Sequence, residues 1–375
     1  METNEQQQEE KMKKILYEEG DIEYKNEKEE TALFITCYKG KEKSVLNLLE
    51  YGANVNTQNH RKESPLYWAS KEGYIKVVEI LLKYKADINI KTEKQNTPLI
   101  AACKRSQESI IDILLENNAD VNIENEEGKT ALYYACYNND EMIVNKLMKK
   151  NPNVNIEGKT NGKGPLYWAC YNGNNAIVKM LLDKSTNINV NRKDKFNNTA
   201  LYAACCHGNT ALVNLLIEHG AEVNTKNDDG YTPLYRVCKR GNLDMVNLLI
   251  EHKANVNEKG NEDRTALLIA CEEGHFKIIQ RLLEEEADVN AVSKDMKWSP
   301  LFMAIGQGSL EIVKLLVNYK ANTNQLDSMN RSPLCMAILK RQFSIAIYLL
   351  ILNPQHLYFD QNISFLHVLL SPLFD

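Results

Sequence analysis

The sequence predicts an all-α repeat protein, a solenoid of stacked helical units, from two observations: a short element that recurs at a fixed period, and a helical face too small to be buried alone. The stretch KGPLYWACYNG at 163–173 returns as ESPLYWASKEG at 63–73, KTALYYACYNN at 129–139 and YTPLYRVCKRG at 231–241. Anchoring on the first residue of each such element gives Thr31, Ser64, Thr97, Thr130, Gly164, Thr199, Thr232, Thr265, Ser299 and Ser332. The successive spacings are 33, 33, 33, 34, 35, 33, 33, 34 and 33 residues. A period in this range marks an array in which each unit contacts only its neighbours.

Within one unit, Leu166, Ala169, Cys170 and Gly173 fall at i, i+3, i+4 and i+7, one face of a helix that starts at Pro165, where proline's missing N–H is harmless. The face is narrow and small, so neighbouring first helices can approach closely. Val77, Val78, Leu81 and Leu82 define a second, bulkier helix that packs on its own first helix and on the next unit.

This spacing divides the chain into ten repeats over 31–357. A capping half-repeat over 12–30 precedes them, where Ile15 and Leu16 align with Leu48 and Leu49, and a disordered polar tail over 1–11 comes first. Residues 358–375 read as a C-terminal partial repeat or cap: SFLHVLLSPLFD restarts a unit at Ser364 and stops after one helix.

A unit reading TPLxxAC…G…VVxxLL…A-D/N-V-N resembles the ankyrin repeat, and the resemblance covers roughly residues 12 to 370. It implies two antiparallel helices followed by a hairpin-like loop, stacked into a curved array that binds protein partners on the concave first-helix surface and the loop tips. Three residues into each unit the family usually carries histidine. This chain has Phe34, Tyr67, Ile100, Tyr133, Tyr167, Tyr202, Tyr235, Leu268, Phe302 and Cys335 there, so an aromatic packing ladder is expected in place of a polar link. Asn56, Asn89, Asn122, Asn155, Asn189, Asn224, Asn257, Asn290 and Asn324 close the first nine units. Asparagine tolerates tight turns and bonds neighbouring backbone, so its expected task is to fix the loop leaving each repeat. The resemblance also marks this position as one that asparaginyl hydroxylases modify, with Asn122 and Asn290 as candidates.

Composition narrows the function. Hydrophobic residues make up 43% and charged residues 25% of 375 residues, with net charge −5 and pI near 5.9. That balance argues against a generally nucleic-acid-binding or membrane-attracted surface. The N-terminus has no apolar signal core, and no stretch reaches the apolar length of a membrane span. A cytoplasmic setting is expected, with the nucleus open to it.

Seven of nine cysteines (Cys37, Cys103, Cys136, Cys170, Cys205, Cys238 and Cys271) share one repeat position, and only Cys206 and Cys335 lie off-pattern. Equivalent positions in adjacent units should sit about one helix-packing distance apart, ~8–10 Å, beyond the ~7 Å disulfide limit. They read as core thiols. With no CxxC pair, no zinc site is expected, and His219 and His252 lie at equal offsets near helix C-termini rather than converging. No GxxxxGK[ST], HExxH or GxSxG motif appears, so neither enzymatic activity nor a cofactor is expected.

The outward stripe of the first helix remains. Trp168 follows Leu166 by two residues, about 200° round the helix, with Tyr171 and Asn172 further along. Reading down the array, the position of Trp168 varies through Ile35, Trp68, Ala101, Tyr134, Ala203, Arg236, Ile269, Met303 and Met336. Exposed aromatic and arginine side chains are common interface anchors. The expected protein-contact residues are therefore Trp68, Lys104, Arg105, Tyr134, Tyr137, Trp168, Tyr171, Arg236 and Arg240, with Trp298 on a lengthened loop. Covering the groove between repeats is the other task open to Trp68 and Trp168. The alternative function is oligonucleotide or RNA-fragment binding, with Trp68, Tyr134 and Trp168 stacking bases while Lys104 and Arg105 hold phosphate.

Overall fold

The chain is described here from a computed structural model, over residues 20–183 and 187–353. The tail over 1–11, most of the half-repeat over 12–30 and the terminal segment over 358–375 lie outside these residues. Among the described residues the regular structure is helical, in ten pairs. The first five pairs are α1 (Ala32–Tyr38) with α2 (Glu42–Glu50), α3 (Pro65–Glu72) with α4 (Ile75–Lys83), α5 (Pro98–Lys104) with α6 (Glu108–Glu116), α7 (Ala131–Tyr137) with α8 (Glu141–Met148), and α9 (Pro165–Tyr171) with α10 (Asn175–Asp183). The next five are α11 (Ala200–His207) with α12 (Thr210–Glu218), α13 (Pro233–Arg240) with α14 (Leu243–Glu251), α15 (Ala266–Glu273) with α16 (Phe276–Glu284), α17 (Pro300–Gln307) with α18 (Leu310–Asn318), and α19 (Pro333–Leu339) with α20 (Phe343–Leu352). The chain divides into two compact units, Met1–Asn189 and Val190–Asp375. Within each, first helices pack on first helices and second helices on second helices.

Eight of the ten first helices start for the same local reason. The hydroxyls of Thr31, Ser64, Thr97, Thr130, Thr199, Thr232, Thr265 and Ser332 accept the amide N–H three residues on, satisfying one orphan donor of the first turn. Ser299 keeps the hydroxyl but its Oγ is buried with no hydrogen-bond partner, and Gly164 is the exception in sequence. A Cβ there would lie 2.6 Å from the Ile156 carbonyl oxygen, so the hairpin passes too close for a capping side chain. The leucine two residues beyond each anchor is buried in every unit, from Leu33 to Leu334. The small residue three further on lets the helices close together, as at Ala69, Ala102, Ala135 and Ala169.

The turn between paired helices puts one residue in the left-handed region. At Gly73, with φ 84°, an added Cβ would also meet the Gln107 side chain at 2.5 Å.

The loop asparagines do more than fix their own loops. Asn56 Oδ1 accepts the Asp87 N–H at 2.7 Å, Asn89 that of Asp120 at 3.0 Å, and Asn122 that of Asn153 at 2.7 Å. In the C-terminal unit Asn224 accepts from Asn255, Asn257 from Asp288 and Asn290 from Asn322. The residue donating each bond in turn accepts, through its side chain, the N–H of the next asparagine: Asp87 from Asn89, Asp120 from Asn122 and Asn153 from Asn155. Loops are thus joined by a hydrogen-bonded chain, and among the described residues its first link is Glu23 accepting the Asn54 N–H at 2.7 Å. Asn122 and Asn290, the two candidates for modification, are exposed members of this chain. One member departs from the expected register. Asn189 donates its N–H to Asn155 at 2.9 Å, the part Asp87 plays, and the acceptor counterpart of Asn89 is Asn191, which takes the Glu222 N–H at 2.8 Å. The lengthened fifth spacing moves the asparagine by two residues.

All seven cysteines of the common position are buried, while Cys206 and Cys335 are half-buried. Burial pushes the thiols of Cys37, Cys103, Cys136, Cys205, Cys238 and Cys271 up. Brief iodoacetamide treatment of the native chain should therefore label Cys206 and Cys335 and spare the other seven, which should react only after denaturation, as read by intact and peptide mass spectrometry. Thermal melts should show Thr130→Ala costing about 1 kcal/mol through its lost cap. Gly164→Ser should also lower the melting temperature, although it supplies a capping residue, because Ile156 leaves no room for it.

Candidate functional site

The stripe expected to face outward divides along the helix axis. Four residues after the anchor, Ala101, Tyr134, Ala203, Ile269, Met303 and Met336 are buried, Tyr134 at 6% exposure, and Ile35, Trp68, Trp168 and Arg236 are half-buried. An angle of 200° gives direction round the helix and ignores height along it. At that height each unit's own hairpin folds over the helix: Glu63 Oε2 accepts from Trp68 Nε1 at 3.1 Å, and Asn125 Nδ2 donates to the Tyr134 hydroxyl at 3.3 Å. Tyr134 therefore belongs to the interior rather than to the contact surface.

The seventh position, at the C-terminal end of each first helix, is the one that reaches solvent. Tyr38, Tyr137 and Tyr171 are 47%, 51% and 52% exposed, and Lys104, Lys239 and Glu272 are exposed as well. Each of the first two tyrosines is clamped by the tryptophan of the following unit. Tyr38 meets Trp68 at 5.0 Å between ring centroids and Tyr137 meets Trp168 at 4.8 Å, both edge to face. Tyr171 lies 5.7 Å from Trp168 on its own helix. The expected aromatic ladder thus takes a diagonal course, from the seventh position of one unit to the fourth of the next. Among the third-position residues, Tyr133 reaches Trp168 at 6.4 Å.

Cations lie on these rings. Lys71 Nζ stands 3.7 Å from the Trp68 centroid, Lys104 5.4 Å from Tyr134, and Lys163 4.6 Å from Tyr167 and 5.1 Å from Trp168. Between α3 and α5, Tyr67, Lys71, Ala101, Lys104 and Arg105 line a cleft of about 430 Å³. Burial, followed by the charge of Glu63, pushes the Tyr67 phenol up to about 12, so it remains a hydrogen-bond donor at neutral pH. Burial also lowers the Lys71 ammonium, opposed by the charges of Glu72 and Glu63 and assisted by those of Arg105 and Lys104.

The second compact unit has a cleft of about 300 Å³ whose lining includes Tyr202, Arg236, Lys239, Arg264, Glu272 and Glu273. Its charges are partly matched, since Arg264 pairs with Glu272. Arg236 is half-buried with its Nε 3.1 Å from Cys206 Sγ, whereas Arg240 is exposed at the end of α13. Trp298 is half-buried in its hairpin, its backbone N–H bonded to Ser293 Oγ at 3.2 Å.

Asn172, taken from the sequence as an outward residue, is instead a structural bridge: its Nδ2 donates to the Cys136 carbonyl at 3.1 Å. Asn138 does the same for Cys103 at 3.1 Å. Both satisfy carbonyls near the C-terminal end of the preceding first helix, and the recurrence of asparagine at one offset in consecutive units was the available signal. Lys71, left out of the expected contact residues, lies on the Trp68 ring and lines the cleft between α3 and α5. Among the described residues no group of three histidine, cysteine or acidic side chains could hold a metal ion, and no helix is long and apolar enough to cross a membrane.

Comparison with curated proteins returns no match. The family model for ankyrin repeats in three copies matches residues 2–92, 85–158, 143–227, 223–293 and 292–360. With helix pairs, capping hydroxyls and loop asparagines recurring at this period, and with that model matching most of its length, the chain belongs to the ankyrin-repeat family.

Proposed function

We propose that the chain is a non-enzymatic adaptor or substrate receptor that holds a protein partner on the exposed ends of its first helices and on the adjacent hairpin tips. Ankyrin repeats generally mediate protein–protein interaction. The observation that carries the reading to particular residues is the half-exposure of Tyr38, Tyr137 and Tyr171 beside Trp68 and Trp168. Such rings offer large contact area, and packing has already removed much of their rotamer freedom, so binding orders little that is not ordered beforehand.

On this reading the repeats over 31–357 bind as a monomer in a cytoplasmic or nuclear setting, each compact unit presenting its own exposed row. Lys104, Arg105, Tyr137, Tyr171 and Arg240 make contact, and Trp68, Trp168, Arg236 and Trp298 support them from half-buried positions. Base stacking has weaker support. Tyr134 presents no free face, and Lys71 occupies one face of Trp68.

The combined variant Y137A/Y171A/R240A should keep the helical circular dichroism of the native chain and lose at least about tenfold in capture of its cellular partner, read by quantitative pull-down. Unchanged capture would remove the exposed row from the interface. Tyr134→Ala should behave differently, lowering thermal stability by about 3–5 kcal/mol as a buried aromatic truncation does.

A further inference from the structure

The row of seventh positions in the first compact unit has a chemical order. From α3 to α9 it runs through half-buried Lys71 and exposed Lys104, Tyr137 and Tyr171, with exposed Arg105 beside Lys104. Among the described residues, Lys71, Lys104 and Arg105 form no ion pair, although they converge on one cleft. Neighbouring lysines do find carboxylates: Lys129 pairs with Glu127, and Lys146 with Glu108 and Asp112. These three cations outnumber the nearby carboxylates Glu63 and Glu72, and with the Tyr67 phenol they make a site complementary to negative charge. The next two steps of the row are apolar rings.

The spacing of the row restricts the shape of a ligand. Adjacent first helices stand about 10 Å apart. A polyproline-II segment rises ~3.1 Å per residue with three residues per turn, so it shows the same face every ~9.3 Å, whereas a β-strand alternates faces every residue. Only the first places every third side chain opposite successive repeats.

We propose that this row receives an extended, polyproline-II-like segment of a partner protein: acidic residues at i and i+3 face Lys71 and the Lys104/Arg105 pair, and apolar residues at i+6 and i+9 face Tyr137 and Tyr171, in either chain direction. This rests on the protein-binding reading above and names the chemistry that the row selects.

The test selects a displayed library of random 16-residue peptides on the full chain, with counter-selection on the K104E/R105E variant, whose fold is checked by thermal melting. Enriched peptides should carry two acidic residues three apart, continued at three-residue steps by apolar ones. A synthetic copy should bind K104E/R105E at least about tenfold more weakly than the native chain, bind less tightly as salt rises, and regain affinity for the variant when the acidic residue next to its apolar positions, the one facing the reversed pair, is replaced by lysine. Absence of enrichment, acidic residues at any other spacing, or equal binding to the variant overturns the proposal. So does a 12-nucleotide single-stranded RNA that displaces the peptide at lower concentration than unlabelled peptide does. If the selection fails while Y137A/Y171A/R240A still loses its cellular partner, the adaptor reading stands without this segment. If both fail, the reading falls with it.

Discussion

The spacing of every side chain on the first-helix face depends on the hydrogen-bonded chain in the loops. An asparagine oxygen takes the N–H of the next loop, and the residue so held takes the N–H of the next asparagine, as in the run from Asn56 through Asp87, Asn89 and Asp120 to Asn122. Each bond is exposed and contributes about 0.5–1.5 kcal/mol at most. Its importance is geometric. A two-atom reach from Cβ to oxygen permits one offset between neighbouring loops, and a shift of one residue would break the link between loops and the link within them. The apolar contacts of the helices supply most of the stabilisation but are non-directional, so the loops fix the step at which the helices repeat.

That step was readable in the sequence, because it follows from a period and a periodic apolar face. The helices, the narrow first-helix face and the buried cysteines follow from local chemistry that is the same in every unit. What the sequence did not reveal depended on contacts between elements. Trp68 and Tyr134 point in the predicted direction but are covered by their own hairpins, and helical angle contains no information about a loop that folds back. Asn172 looked like surface because its partner, the Cys136 carbonyl, lies thirty-six positions earlier. The shift from Asn189 to Asn191 needed knowledge of which amide each oxygen reaches, and two asparagines so close in a lengthened loop cannot be told apart by residue type.

Charge distinguishes the clefts of the two compact units. In the first, lysines rest on aromatic faces, which hold an ammonium group in place without an ion pair. In the second, Arg264 is tied to Glu272, and Glu273 lies in the same cleft as Lys239. The first arrangement keeps its electrostatic attraction for an outside group; the second spends much of it internally. A net charge of −5 over the whole chain conceals this local inversion.

Trp68 and Trp168 show how one repeat position can be made either satisfied or strained. The residue just before the anchor is Glu63 in one unit and Lys163 in the other. Glu63 accepts the Trp68 indole N–H; Lys163 cannot accept, and Trp168 Nε1 is buried with no hydrogen-bond partner. An unsatisfied buried donor costs about 1–3 kcal/mol. Against it stand four tyrosine rings around Trp168, namely Tyr133, Tyr137, Tyr167 and Tyr171, at 4.8 to 6.4 Å, each contributing about 0.5–1.5 kcal/mol beyond burial. The rings are sufficient to hold the indole in place without its acceptor. Two of them, Tyr137 and Tyr171, are also the half-exposed anchors of the binding row, so the packing that offsets the lost hydrogen bond is the packing that fixes the surface a partner meets.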